Sequence, residues 1–303
     1  RVPSSTPHKQ HKKSPAGKYK GLGMARLSLP LRWFTLEGLF FFTSCLILLK
    51  AQILGGISPF GLAFFAAVSS SYLNYFWPLL IVYLIGQAFF YPNSLMLNAT
   101  VVGVFVIWQL LLPTKFTRRW VVLPLKVFIS LFVVKMTGIM LDYFTIYRML
   151  AITVEALLTA FLVIVYISFL NILQSKKIAG GLSIEESICG VLFCLSLTVG
   201  VMDFWIAGFQ VGSIASRYII MLGAWIGGGG VGASLGAALG ILPSLIQINA
   251  PILVGIYAFS GLLAGVFARW NKIGTSLGFL LGNLILSIYL LEAQAVSTSL
   301  LET

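Results

Sequence analysis

The sequence predicts an all-α fold, a polytopic transmembrane helix bundle of about ten spans with the last one truncated. Three observations carry that reading. Of 303 residues, 59% are hydrophobic and only 9% are charged, with a mean hydropathy of +0.99. Soluble domains carry roughly 25% charged residues, so this chain cannot clothe an ordinary water-facing surface. Apolar segments of near-spanning length then follow one another almost without pause from Leu36 to Leu291. Finally, glycine recurs at every fourth position through LGAWIGGGGVGASLGAALGILPSL (Leu222–Leu245), a spacing that lets helices meet in lipid.

The chain opens with a basic tail. Eight of the twenty Lys and Arg precede Trp33, with no acid among them. The segment is rich in Pro, Gly and Ser, which predicts a disordered cytoplasmic tail over residues 1–35, ahead of a membrane domain over 36–303. Both histidines, His8 and His11, lie in it. A basic tail beside a first span is the positive-inside pattern and suits contact with the anionic face of a bilayer. No aromatics interleave with the charges to stack on bases, so nucleic acid is not an expected partner.

Eleven apolar candidates follow: Leu36–Leu54, Ser58–Tyr75, Trp77–Tyr91, Leu95–Pro113, Val121–Met140, Thr145–Leu173, Glu186–Phe204, Trp205–Ile226, Gly227–Ile246, Pro251–Ala268 and Gly274–Leu291. A span needs about 20 apolar residues, and Ser58–Tyr75 with Trp77–Tyr91 are short enough to form one broken hairpin. Basic residues cluster at Lys115, Arg118 and Arg119, at Lys176 and Lys177, and at Arg269 and Lys272. Even numbers of candidates separate these clusters, which predicts that all of them, with the N-terminus, face the cytoplasm.

Gly228, Gly232, Gly236 and Gly240 share one helical face, and Gly223 to Gly227 add a further step. Bare backbone there permits close helix contact, and the expected consequence is helix packing and self-association. The competing reading is a helix opened at Gly227 to Gly230 to bind something with its freed backbone groups. Charges inside the candidates also need a reason. Lys50, Lys126 and Lys135 are expected to snorkel to an interface. Glu155 and Arg217 lie deeper, and are expected to form an intramembrane ion pair across helices. Cys45, Cys189 and Cys194 read as small buried hydrophobes. No catalytic arrangement, phosphate loop, dinucleotide fingerprint or metal-ligand cluster is visible, so no catalytic or metal residue is assigned.

Several stretches in order carry a family resemblance: LKAQILGGISPFGLAFFAAV, LSIEESICG, SRYIIMLGAWIGGGGVGASLGAALGIL, AFSGLLAG and LLGNLILSIYL. Together they resemble the membrane domain of the stage II sporulation protein E family, from about Leu39 to Thr303, leaving the basic tail outside. The resemblance implies an N-terminal bundle of about ten spans, followed by a cytoplasmic linker and a C-terminal serine/threonine phosphatase of the metal-dependent PPM class. That phosphatase acts on an anti-anti-sigma factor to free the first forespore-specific sigma factor, at an asymmetric septum shared with the tubulin-like division protein. The chain stops at Thr303, before any phosphatase. Hence no cofactor is expected in this chain, manganese belongs to the missing domain, and whether the chain itself counts as an enzyme stays open. On this view nine full spans and a cut tenth are present, and two of the eleven candidates are half-spans or merge. The expected function is membrane anchoring, septal localisation and oligomerisation of that phosphatase; the alternative is a secondary transporter or channel for a small molecule or ion.

Overall fold

The computed structural model describes residues 35–53, 56–112, 119–141, 145–175, 183–202, 204–206, 208–246 and 251–290. The basic tail to residue 34, Lys115, Arg118, Lys176, Lys177, Asp203 and Glu302 lie outside the described residues. Among those described, the chain forms ten helices: α1 Leu36–Lys50, α2 Pro59–Ser71, α3 Phe76–Phe90, α4 Leu95–Leu111, α5 Arg119–Leu141, α6 Ile146–Ser175, α7 Ile184–Val201, α8 Val211–Ile246, α9 Pro251–Phe267 and α10 Asn271–Leu290. A two-stranded turn, Trp205–Ile206 against Phe209–Gln210, joins α7 to α8.

Helix starts follow local sequence. Thr35 caps α1 by accepting from the Gly38 amide at 3.3 Å, and Pro59 opens α2, where a missing N–H costs nothing. Ser183 and Glu186 form a reciprocal capping box on α7, with bonds of 3.2 and 2.9 Å. Large apolar side chains remain outside, such as Leu36, 87% exposed, and Leu141, 89% exposed. In water such a surface would aggregate; it is the lipid-facing coat of an integral membrane protein.

Among the described residues, seven helical stretches are long and apolar enough to cross a bilayer. Two of them double back. Asn271, with φ of 69°, separates α9 from α10 in one. In the other, α8 breaks at Gly228, where φ is 75° and ψ is −168°. A side-chain carbon on Gly232 would lie 2.7 Å from Ala224 Cβ, and one on Gly223 would strike Leu235. In a straight helix Gly223 and Leu235 would stand about 18 Å apart, so the two arms of α8 fold against each other. Counting these arms separately gives nine segments, and the shorter α1 and α2 bring the helical rods to eleven, roughly consistent with about ten spans. The candidate boundary at Ile226 and Gly227 falls at this reversal.

The glycine row is therefore cut at Gly228 rather than continuous. Gly223 and Gly227 face the second arm of α8, while Gly232, Gly236 and Gly240 face α9. A Cβ on Gly240 would sit 2.6 Å from Val254 Cα, and one on Gly236 would lie 2.8 Å from Ala258 Cα. A second row went unread in the sequence: Gly278 and Gly282 of α10 would place a Cβ 2.6 Å from Leu263 O and from Ser260 Cα. Thus α9 is gripped by bare backbone on two sides.

Gly228→Ala should lower stability by about 1–3 kcal/mol, because an L side chain rarely adopts its φ although nothing stands within 4 Å. Gly230→Ala, in open space and helical, should be neutral or slightly stabilising. Denaturant titration of the two variants in detergent checks this; equal losses would refute it.

Candidate functional site: an ion pair at the tip of a buried helix

The least lipid-exposed helix is the shortest. Eleven of the 13 residues of α2 are buried, from Pro59 to Ser69. Phe64 stacks near Phe193 of α7 at 5.8 Å and meets Tyr166 of α6 edge-on at 5.9 Å, and Phe65 packs on Tyr83 of α3 and Phe105 of α4. Small residues along AFFAAV let neighbouring helices close round it. Thirteen residues rise only about 20 Å, short of a hydrocarbon core of roughly 30 Å. In the described part of the link from α1, Ala51 is at 0% exposure and Ile53 pairs with Ile57 through two backbone bonds of 2.9 and 3.0 Å, while Gly56 is exposed. Irregular backbone at such depth persists only when protein surrounds it.

At the start of α2 a polar cluster forms from five helices. Lys135 of α5 donates to both carboxylate oxygens of Glu155 of α6, at 2.7 and 2.8 Å. The side chains are only 14% and 7% exposed. Glu155 also accepts the Ser58 amide at 3.4 Å. Ser58 gives its own helix no side-chain cap, so a carboxylate from another helix serves the positive end of α2. Alongside, Gln87 of α3 donates to the Tyr83 hydroxyl at 3.3 Å and accepts from Asn98 of α4 at 3.0 Å. Ser58, Tyr83, Gln87, Asn98, Lys135 and Glu155 line one small cavity.

The expected partnership of Glu155 with Arg217 is corrected here. Lys135, expected to snorkel, is the partner that reaches Glu155. Arg217 is buried in the other part of the bundle, its guanidinium 5.9 Å from the centre of the Tyr257 ring of α9. Their helices feed different apolar clusters: Ala156 beside Glu155 belongs to one formed by α1 to α7, and Ile220 near Arg217 to one buried within α8 to α10. The pairing of Lys135 with Glu155 was hard to read because twenty residues and a helix turn separate them. Lys126 does not snorkel either: it closes the end of α4 through the carbonyls of Trp108 and Leu112 and the Gln109 amide oxygen. Lys50 sits 3.6 Å from the centre of the Phe204 ring. Of the cysteines, Cys45 is buried but Cys194 is exposed. Among the described residues no group of three His, Cys, Asp or Glu is placed to hold a metal ion.

The geometry is that of an anchored bundle with a polar seam, and comparison with known families places it. The sequence matches the family described as SpoIIE, N-terminal domain, over residues 5–303. The chain belongs to this family. The match begins within the basic tail, so the resemblance is wider than the stretch from Leu39 expected from motifs alone. The chain is 28% identical over 276 residues to stage II sporulation protein E of Bacillus subtilis (strain 168), covering 89% of this chain and 33% of that protein. It is 30% identical over 70 residues to stage II sporulation protein E of Priestia megaterium, covering 23% of this chain and 12% of that one. The chain thus spans a third or less of the length of these curated relatives. No solved structure matches. This is a sporulation protein of the SpoIIE type, rich in helices long and apolar enough to cross a membrane.

Proposed function

We propose that residues 36–303 anchor, focus and self-assemble a sporulation serine/threonine phosphatase at the asymmetric septum, with residues 1–35 as a basic cytoplasmic tail. In this reading the phosphatase lies C-terminal to this chain, uses manganese, and acts on an anti-anti-sigma factor to release the forespore-specific sigma factor. The tubulin-like division protein guides it to the septum through regions beyond Thr303. Support comes from family membership together with the glycine-lined grip of α8 and α10 on α9, which favours a rigid scaffold. Carriage of a small solute has less support, since the buried ion pair is satisfied internally and the Gly228 break packs against Gly265.

The test replaces the bundle, in the full-length parent protein, with an unrelated set of spans of equal number. Phosphatase activity in isolated membranes should persist, while the septal focus and sigma-dependent reporter output fall several-fold. Normal focusing and output from the swapped protein would sink the proposal.

A further inference from the structure

The far end of α2 carries a buried charge with no acid beside it. Arg119, first residue of α5, is 5% exposed. Its Nε donates to Ser70 Oγ at 3.0 Å, but Nη2 is buried without a hydrogen-bond partner among the described residues. Lys135–Glu155 is the sole ion pair between described residues, so none of their carboxylates neutralises Arg119. The negative end of α2 offsets at most about half a charge, and the positive end of α5 opposes that help. A guanidinium withdrawn from water without a counter-charge is costly, and it calls for an anion.

The surroundings suit one of a particular kind. Ser70, Ser71 and Tyr72 lie at this corner, and the exposed Gln174 of α6 reaches it through a long 3.5 Å bond to the Ser71 carbonyl and a side-chain contact with Tyr72. Trp120 and Val121, the next residues of α5, are 43% and 72% exposed. An exposed Trp at a helix start marks the headgroup level of a bilayer. Guanidinium forks bind phosphate oxygens in pairs.

We propose that this corner between α2, α5 and α6 binds a single phosphate group, supplied by the headgroup of an anionic phospholipid, with Arg119 as its charged anchor and Gln174 as the side chain that yields. The exposed Trp120 and Val121 favour lipid over a water-borne anion. The ligand neutralises the guanidinium and fixes the end of α2 that Glu155 does not reach.

The whole chain, placed in phosphatidylcholine nanodiscs with and without phosphatidylglycerol, tests this by thermal melting. The wild type should gain about 3 °C or more with phosphatidylglycerol. Arg119→Gln should melt at or above wild type in phosphatidylcholine, having shed an unneutralised charge, yet fall below it when phosphatidylglycerol is present. Arg269→Gln, an exposed basic residue elsewhere, should keep the wild-type gain. Inorganic phosphate reproducing the gain in phosphatidylcholine would support the site and move its ligand from bilayer to water. Equal destabilisation of Arg119→Gln in both lipids, or an undiminished gain, would overturn it. Should that variant fail to accumulate, native mass spectrometry of the wild type decides: one retained phosphatidylglycerol per chain in preference to phosphatidylcholine supports the site, and none refutes it.

Discussion

Lys135→Met alone should remove most folded chain from the membrane, and adding Glu155→Gln should restore it. Removing one partner of a buried pair leaves an uncompensated charge and costs roughly 3–5 kcal/mol. Here the stranded carboxylate would also sit against the first turn of α2, which it serves through the Ser58 amide. The double variant removes both charges, and the glutamine oxygen still accepts from Ser58. We expect a coupling of about 3 kcal/mol or more between the two positions, at or above the upper end for contacting residues, read as protein level and detergent melting across the four-variant cycle. Arg217→Met combined with Glu155→Gln should show no such rescue. Rescue by Arg217→Met rather than Lys135→Met would overturn the assignment.

Gly236→Leu should be about as damaging, for a different reason. A Cβ at this position would collide with the Tyr257 carbonyl and lie 2.8 Å from Ala258 Cα. Backbone cannot yield as a flexible side chain does, so the second arm of α8 must part from α9 along its length. In lipid that contact is the main source of helix association, because apolar burial contributes little there. We expect a loss of about 3 kcal/mol or more, at the upper end of overpacking costs. Gly255→Leu makes the matched control, on α9 but with nothing within 4 Å, and should be tolerated. Melting of both variants in detergent distinguishes them; similar losses would show that bulk alone, not the helix seam, is responsible.

Much of the bundle was legible because lipid imposes a simple grammar: long apolar runs, and small residues where rods touch. The division of Trp205–Ile226 from Gly227–Ile246 fell at the real reversal because a Gly run tolerates the positive φ that a turn needs. The glycine row was half-read. Period four was taken as one continuous face, whereas the turn at Gly228 hands Gly223 and Gly232 to different neighbours. The row on α10 escaped notice because Gly274, Gly278 and Gly282 are interleaved with large side chains. The ion pair was misassigned for a more general reason. Depth along a candidate helix identifies a charge that needs a partner, but only the packing of α5 on α6 says which one it meets. The reading of α2 as part of a broken hairpin held its shortness but not its enclosure.

That shortness alters the electrical landscape of the protein. Along the α2 axis the ordered helix covers about 20 Å, and polar groups take over beyond Ser58. A membrane potential falls mainly across low-dielectric material, so water entering the polar cluster at Ser58 would steepen its gradient along this line. Lys135 and Glu155 stand at the Ser58 end of this line, and as a neutral couple they move no net charge if displaced together. A displacement that parted them would, at roughly 2.3 kcal/mol per charge for each 100 mV crossed.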